Sequence, residues 1–224
     1  MMPKLNGIKA CVFDAYGTLF DVNSAARTAQ DSLGDKWQPL AELWRTKQLQ
    51  YTWLRSLARR HADFWQVTRE ALVYSCRSLG LPCETTQQED LMQEYLCLKV
   101  YPDVSVGLEA LRSQRLAILS NGSPQMLEAV AEHAGLKQAF AILLSVDRVK
   151  TYKPSPIVYQ LAVDSLNLKK SQIGFVSSNY WDAAGAAAFG FPAFWLNRGE
   201  AAPDQLGIEP KATITGLGEL AGLL

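Results

Sequence analysis

Histidine is almost missing from this chain, which carries only His61 and His133 in 224 residues. Cysteine is also sparse: Cys11, Cys76, Cys83 and Cys97 are irregularly spaced and contain no C-x-x-C pair, so no zinc-type ligand set can be assembled from spacing. The four are expected to be reduced thiols, mostly buried. An excess of charge of either sign is absent too, because 22 Lys plus Arg balance 22 Asp plus Glu. No overall field would hold the protein to nucleic acid or to an anionic membrane, and a small molecule is the expected partner. The start, MMPKLNGIKACVFDAYG, lacks the apolar stretch and small-residue cleavage site of a signal peptide, which points to the cytoplasm. The most apolar later stretch, residues 183–196, is short and interrupted by Gly185, Gly190 and Pro192, so it predicts a helix, turn and strand rather than a membrane span. Internal repeats and low-complexity tracts are lacking as well.

What is present is a switch between two periodicities. Residues 8–13 form a short apolar run followed by the turn-forming AYGT, as in a buried strand with Asp14 at its carboxyl end. From 23 to 97 the pattern is helical: Leu40, Leu43, Trp44, Tyr51, Leu54 and Leu57 recur at three- and four-residue steps, and Pro39 suits the opening of that helix. Further helices are predicted over 64–79, with Gly80 and Pro82 just beyond, and over 86–98. After Tyr101-Pro102, helices over 104–113, 125–133, 156–166 and 182–189 alternate with strands over 116–119, 142–145, 173–176 and 193–196. A last strand and short helix fall within 213–224. Such alternation predicts an α/β fold: a Rossmann-like parallel sheet core with helices on both faces and an inserted all-helical cap subdomain. The core would comprise 1–20 and 99–224, and the cap 21–98. Open sheets of this kind bind ligands beyond the carboxyl ends of their strands, where Asp14, Ser120 and Ser177 are expected.

Asp14-Ala15-Tyr16-Gly17-Thr18 places an acid at a strand end before a turn that exposes backbone N–H groups. A carboxylate with a reference pKa of about 3.9 is ionised at neutral pH, and becomes a nucleophile when held by fixed donors and partly stripped of water. The same residues would also serve as a simple turn cap. Three further segments accompany them at strand ends: Ser120-Asn121-Gly122-Ser123, Lys153-Pro154, and Ser177-Ser178-Asn179-Tyr180-Trp181-Asp182.

Together with the segment Leu43-Trp44-Arg45-Thr46-Lys47-Gln48-Leu49-Gln50-Tyr51-Thr52-Trp53-Leu54-Arg55, these motifs resemble the haloacid dehalogenase superfamily and, more narrowly, the L-2-haloacid dehalogenases, over nearly the whole length. Phosphatases of that superfamily carry a second Asp two residues after the nucleophile and an acidic pair in the last loop, with magnesium between them. Here Tyr16 stands at the first place and Ser177-Ser178-Asn179 near the second, with Asp182 left as the acid of that loop. The departures argue against phosphoryl transfer, which needs its charge neutralised by metal.

The resemblance implies metal-independent hydrolysis of a small (S)-2-haloacid or haloacetate, with no cofactor, through an aspartyl ester on Asp14 and inversion at the reacting carbon. It implies Lys153, Thr18 and Ser177 as partners of the Asp14 carboxylate. Asp182 would activate the hydrolytic water, steadied by Asn179 and Lys153. Ser120, Asn121 and the backbone at Ala15 and Tyr16 would receive the substrate carboxylate, with Tyr159 nearby, and Arg45 helped by Asn121 would receive the halide. Leu49, Phe64 and Trp181 would form an apolar wall. Taken singly, Tyr159 and these wall residues also suit core packing, Lys153 a solvated loop, and Asp182 a helix N-terminal acid. A homodimer is the implied assembly. Two other readings remain open: a phosphatase or phosphonate hydrolase of the same fold, using Lys47 or another cap lysine as a Schiff base, and a non-catalytic small-acid-binding protein.

Overall fold

The computed structural model describes residues 5, 7–82 and 84–224 of the chain. Strand β1 (Ala10–Phe13) is buried on every residue, as a run that is apolar throughout requires of a central parallel strand covered on both faces. It lies between β4 (Arg115–Ser120) and β6 (Ile173–Ser177), with β5 (Ile142–Ser145) beyond β4, and β7 (Ala193–Leu196) then β8 (Ala212–Ile214) beyond β6. All five pairings in this six-stranded sheet are parallel. The chain leaves β1 toward one edge and returns to β6 on the other side, so the strand order reverses around β1. This is where an open α/β sheet forms its binding crevice. The helices α6 (Val104–Ala110), α7 (Pro124–His133), α8 (Pro156–Leu166), α9 (Tyr180–Phe189) and α10 (Leu217–Leu223) punctuate the strands.

The segment between β1 and β4 is helical. Short α1 (Asn23–Arg27) and α2 (Gln30–Leu33) lead into α3 (Trp37–Leu57), then α4 (Phe64–Ser78) and α5 (Thr85–Glu94). Pro39 sits in the first turn of α3, where its missing N–H leaves no helical bond unmade. Asp63 caps α4 by accepting from Gln66 N–H at 2.8 Å. Trp44 Nε1 donates to Thr68 O at 2.8 Å, pinning α3 to α4.

The buried stripe of α3 differs from the apolar one expected. Leu40, Ala41, Trp44, Gln48 and Thr52 face inward, whereas Leu54 and Leu57 are 52% and 83% exposed. A short ribbon lies at the base of the helical segment. Phe20–Asp21 (β2) and Lys99–Val100 (β3) pair as a two-stranded antiparallel ribbon, so the two chain crossings run side by side. The expected boundary between residues 20 and 21 falls inside β2 because backbone pairing, invisible to periodicity, extends the crossing. Cys11 and Cys76 are buried and Cys97 is exposed; Cys83 lies outside the described residues. Among the described residues no helix is long and apolar enough to cross a membrane.

Candidate active site

Asp14 is the first residue beyond β1, and its N–H extends the sheet by donating to Val176 O at 2.9 Å. Its side chain is 9% exposed. Three donors converge on the carboxylate: Thr18 Oγ1 at 3.0 Å and Asn179 Nδ2 at 2.8 Å on Oδ2, and Lys153 Nζ at 3.0 Å on Oδ1. The turn that aims them is built on Ala15 O, which accepts the N–H groups of Thr18, Leu19 and Phe20. Gly17 closes the turn at φ +89°, a conformation costly for any residue with a Cβ. Thr18 is fixed from a second side, since its Oγ1 accepts Ser178 N–H at 2.9 Å. The N–H groups of Ala15 and Tyr16 make no hydrogen bond to protein among the described residues, leaving two fixed dipoles beside Asp14.

Lys153 is wholly buried. Its ammonium bridges Asp14 Oδ1 at 3.0 Å and Asp182 Oδ2 at 2.8 Å, and its N–H donates to Asn121 Oδ1 at 3.1 Å. Burial alone would pull the ammonium down, but the two carboxylates outweigh it and hold its pKa above the usual lysine value. Asp182, in the first turn of α9, is also wholly buried. Burial pushes its carboxyl upward, aided by the Asp14 charge and opposed by Lys153 and by the Tyr159 hydroxyl that donates to Oδ1 at 2.8 Å. A carboxylate that binds its proton more tightly than usual, yet stays paired, is suited to accept one from water. Asn121 commits its oxygen to Lys153, so its NH2 is the end left for another partner. Ser120, at the end of β4, accepts Gly122 N–H at 3.1 Å and keeps its own proton uncommitted among the described residues.

Arg45 reaches the same place from α3. Its Nη2 donates to Tyr16 O at 3.0 Å and to Asn179 Oδ1 at 3.3 Å, and its Nη1 to Gln48 Oε1 at 2.7 Å. All three acceptors are neutral, so the guanidinium keeps its full positive charge. Leu49, one helical turn on, is half-buried. One turn further, Trp53 meets half-buried Trp181 edge to face, with ring centroids 5.5 Å apart. The line of Arg45, Leu49 and Trp53 thus faces the sheet's carboxyl edge, as four-residue spacing on one helix dictates.

The structure brings together Asp14, Thr18, Lys153, Asn179, Asp182 and Arg45, and corrects three expected partnerships. Ser177 makes no hydrogen bond to the Asp14 side chain. Its Oγ accepts Asn179 N–H at 3.1 Å, because as the last residue of β6 it shapes the turn that follows. Asn179 gives its side chain to Asp14 and Arg45, and meets Asp182 only through its own carbonyl, which accepts Asp182 N–H at 3.0 Å. Tyr159 is fully buried behind Asp182 among Phe175, Phe189 and Phe191 and gives its hydroxyl to Asp182 Oδ1, so it orients that carboxylate. Phe64 is likewise buried, against Tyr16 and Tyr152 at 5.6 and 6.2 Å. Gly122 lies beside Tyr16 so closely that a Cβ would sit 2.6 Å from Tyr16 Cε2. Sequence reasoning missed Gln48, which meets Arg45 inside the helical segment, and Thr68 and Tyr95, which hold Gln48. The available signal was a polar residue at position 48 in register with buried Trp44 and Thr52.

A magnesium ion does not fit this donor set. The only two carboxylates in it are already bridged by the Lys153 ammonium, which takes the place a divalent cation would need. Among the described residues no group of three His, Cys, Asp or Glu is positioned to hold a metal. Lys47, the candidate Schiff-base lysine, is turned elsewhere: its Nζ donates to Gln50 Oε1 at 2.9 Å and lies 4.5 Å over the Tyr74 ring.

Residues 8–190 match the family model of the haloacid dehalogenase-like hydrolases. The chain is 47% identical over 212 residues to the (S)-2-haloacid dehalogenase of Pseudomonas sp. (strain YL), covering 94% of this chain and 91% of that protein. It is 42% identical to haloacetate dehalogenase H-2 of Moraxella sp. (strain B), covering 92% and 93% of the two chains. Its fold superposes with a TM-score of 0.90 and 39% identity on the L-2-haloacid dehalogenase from Xanthobacter autotrophicus with chloropropionic acid covalently bound, over 96% of this chain and 98% of that one.

Proposed function

Because this chain belongs to the haloacid dehalogenase-like hydrolases, in the branch of the (S)-2-haloacid dehalogenases, we propose that it hydrolyses small (S)-2-haloacids or haloacetates to 2-hydroxy acids and halide, without metal, through an ester on Asp14. The observation that carries this reading is the Asp14 carboxylate, paired with Lys153 and oriented by Thr18 and Asn179.

In the first step an Asp14 oxygen attacks the carbon bearing the halogen from the side opposite the halide. An O–C bond forms as the carbon–halogen bond breaks, its electron pair leaves with the halide, and the carbon inverts. Oδ1, with one donor against two on Oδ2, keeps the freer lone pair. The substrate carboxylate is received by the N–H groups of Ala15 and Tyr16, the Ser120 hydroxyl and the Asn121 amide. The departing halide is received by Arg45 with its uncancelled charge, where a fixed donor is worth about 3 kcal/mol as charge develops. Leu49 and Trp181 screen the reacting carbon from bulk water, with Phe64 behind them. In the second step water adds to the ester carbonyl carbon as one of its protons passes to Asp182; the bond from that carbon to the substrate oxygen then breaks, the departing oxygen takes the proton back from Asp182 to give the hydroxy acid, and the carboxyl left on Asp14 loses its remaining proton to solvent, restoring the carboxylate. Lys153 stays charged throughout and balances Asp14 and Asp182 in turn.

The proposed division is a core of 1–20 and 99–224 and a cap of 21–98. The paired crossings β2 and β3 support it, since both chain passages lie in one short ribbon. A homodimer in the cytoplasm completes the reading; the exposed Leu54, Leu57 and Tyr74 on the helical segment support self-association.

The test is halide release from chloroacetate and from each enantiomer of 2-chloropropionate, with EDTA present and Asp14→Asn as control. Release from chloroacetate or one enantiomer, abolished by Asp14→Asn, supports the proposal. Silence of the unaltered protein across all three acids refutes it.

A further inference from the structure

We propose that Gln48 is a positioning residue that aims the Arg45 guanidinium at the leaving halide, and that it sets how strongly the enzyme discriminates between halides; this rests on the dehalogenase reading above. Gln48 is wholly buried in α3, where a polar side chain needs a partner for every group. Its Oε1 accepts Arg45 Nη1 at 2.7 Å and the Tyr95 hydroxyl at 3.4 Å, while its Nε2 donates to Thr68 Oγ1 at 2.7 Å.

The direction of this chain is forced. Thr68 Oγ1 spends its only proton on Phe64 O at 2.6 Å, so toward Gln48 it can only accept. The amide must therefore present N–H2 to Thr68 and oxygen to Arg45. Thr68 and Phe64 belong to α4, so the relay runs from the backbone of one helix through two buried side chains to the guanidinium on its neighbour. At its other end Arg45 is held by Tyr16 O and Asn179 Oδ1, on the Asp14 side. The guanidinium is gripped from both sides.

The choice of an amide has an electrostatic consequence. A glutamate at position 48 would also reach Arg45, but would set a carboxylate against the accepting oxygen of Thr68 and cancel the charge that an anion needs. Gln48 fixes geometry and leaves the charge available. Slack in that geometry matters most for the halide that leaves least readily, because its departure draws most on the Arg45 donors.

The measurement is turnover of bromoacetate and chloroacetate by the same preparations of unaltered protein, Gln48→Leu, Gln48→Glu and Thr68→Val. The bromo-to-chloro ratio of kcat cancels the fraction of correctly folded enzyme, so partial misfolding alone does not move it. Expected is a several-fold rise of that ratio in Gln48→Leu and a larger one in Gln48→Glu, with a smaller rise in Thr68→Val and KM for the acids little changed. A ratio equal to that of the unaltered protein in both Gln48 variants overturns the inference. If the unaltered protein releases neither halide, the dehalogenase reading itself fails, an outcome distinct from an unchanged ratio in active enzyme.

Discussion

Replacing Lys153 by Met tests the electrostatic core of the site. The ammonium has no solvent exposure and bridges two carboxylates at 3.0 and 2.8 Å, one of them also unexposed. Removing the cation leaves both negative charges without their counterion, and breaking a buried pair this way costs about 3–5 kcal/mol. Out of a total stability of about 5–15 kcal/mol, that loss is easily measured. The variant has a remedy that the unaltered protein does not need, which is to bind a proton between the two carboxyls. Its folded-state carboxyl pKa then rises above the unfolded value near about 3.9.

A carboxyl whose folded pKa is raised binds more protons in the folded state, so stability falls as pH rises and recovers as pH drops through the raised pKa. The destabilisation of Lys153→Met should therefore be full near about pH 8 and clearly smaller near about pH 5. Urea unfolding of both proteins at the two pH values measures it, with halide release in parallel expected to vanish. A loss below about 1 kcal/mol at the higher pH, the size of an ordinary surface pair, would refute the reasoning. So would a loss of the same size at both.

Two further perturbations probe the residues around Asp182. Tyr159→Phe removes the hydroxyl that donates to Asp182 Oδ1. This favours the protonated carboxyl, so the acid limb of the kcat profile should move to higher pH while the fold persists; a shift to lower pH, or none, contradicts the assigned role. That limb in the unaltered protein should itself lie above the ordinary aspartate midpoint of about 3.9, since burial raises Asp182 and water activation needs its ionised form. Asp182→Asn should halt turnover after the first step, giving one halide per site and an adduct on the Asp14 peptide by mass spectrometry. Absence of the adduct together with sustained turnover would remove Asp182 from ester hydrolysis.

The sequence by itself determined the order of elements and the strand-end positions of the reactive groups. Central parallel strands are covered on both faces, so residues 10–13, 116–119 and 193–196 must be apolar throughout, and such runs between helical stretches are readable without a fold. The family resemblance then named Asp14, Lys153, Asp182 and Arg45 as a set. Composition alone could not have done so, because a lone Lys-Pro or a helix N-terminal acid has an ordinary reading.

Tertiary structure alone decided the partnerships. Asn179 is 165 residues from Asp14 in sequence and donates to its carboxylate, whereas Ser177, two residues earlier, turns to Asn179 instead. Strand and turn geometry fix which of two nearby side chains reaches Asp14, and that geometry is not written in residue type. Tyr159 was placed near the substrate by resemblance and lies behind Asp182 because α8 packs its apolar face against the aromatic layer of Phe175, Phe189 and Phe191. Gln48 is the plainest instance: by type it belongs on a helix surface, and only the docking of α4 against α3 turns it into a buried, fully bonded support for Arg45. Periodicity records which face of a helix is apolar, but a hydrogen bond between two buried polar groups depends on contacts between elements far apart in the chain.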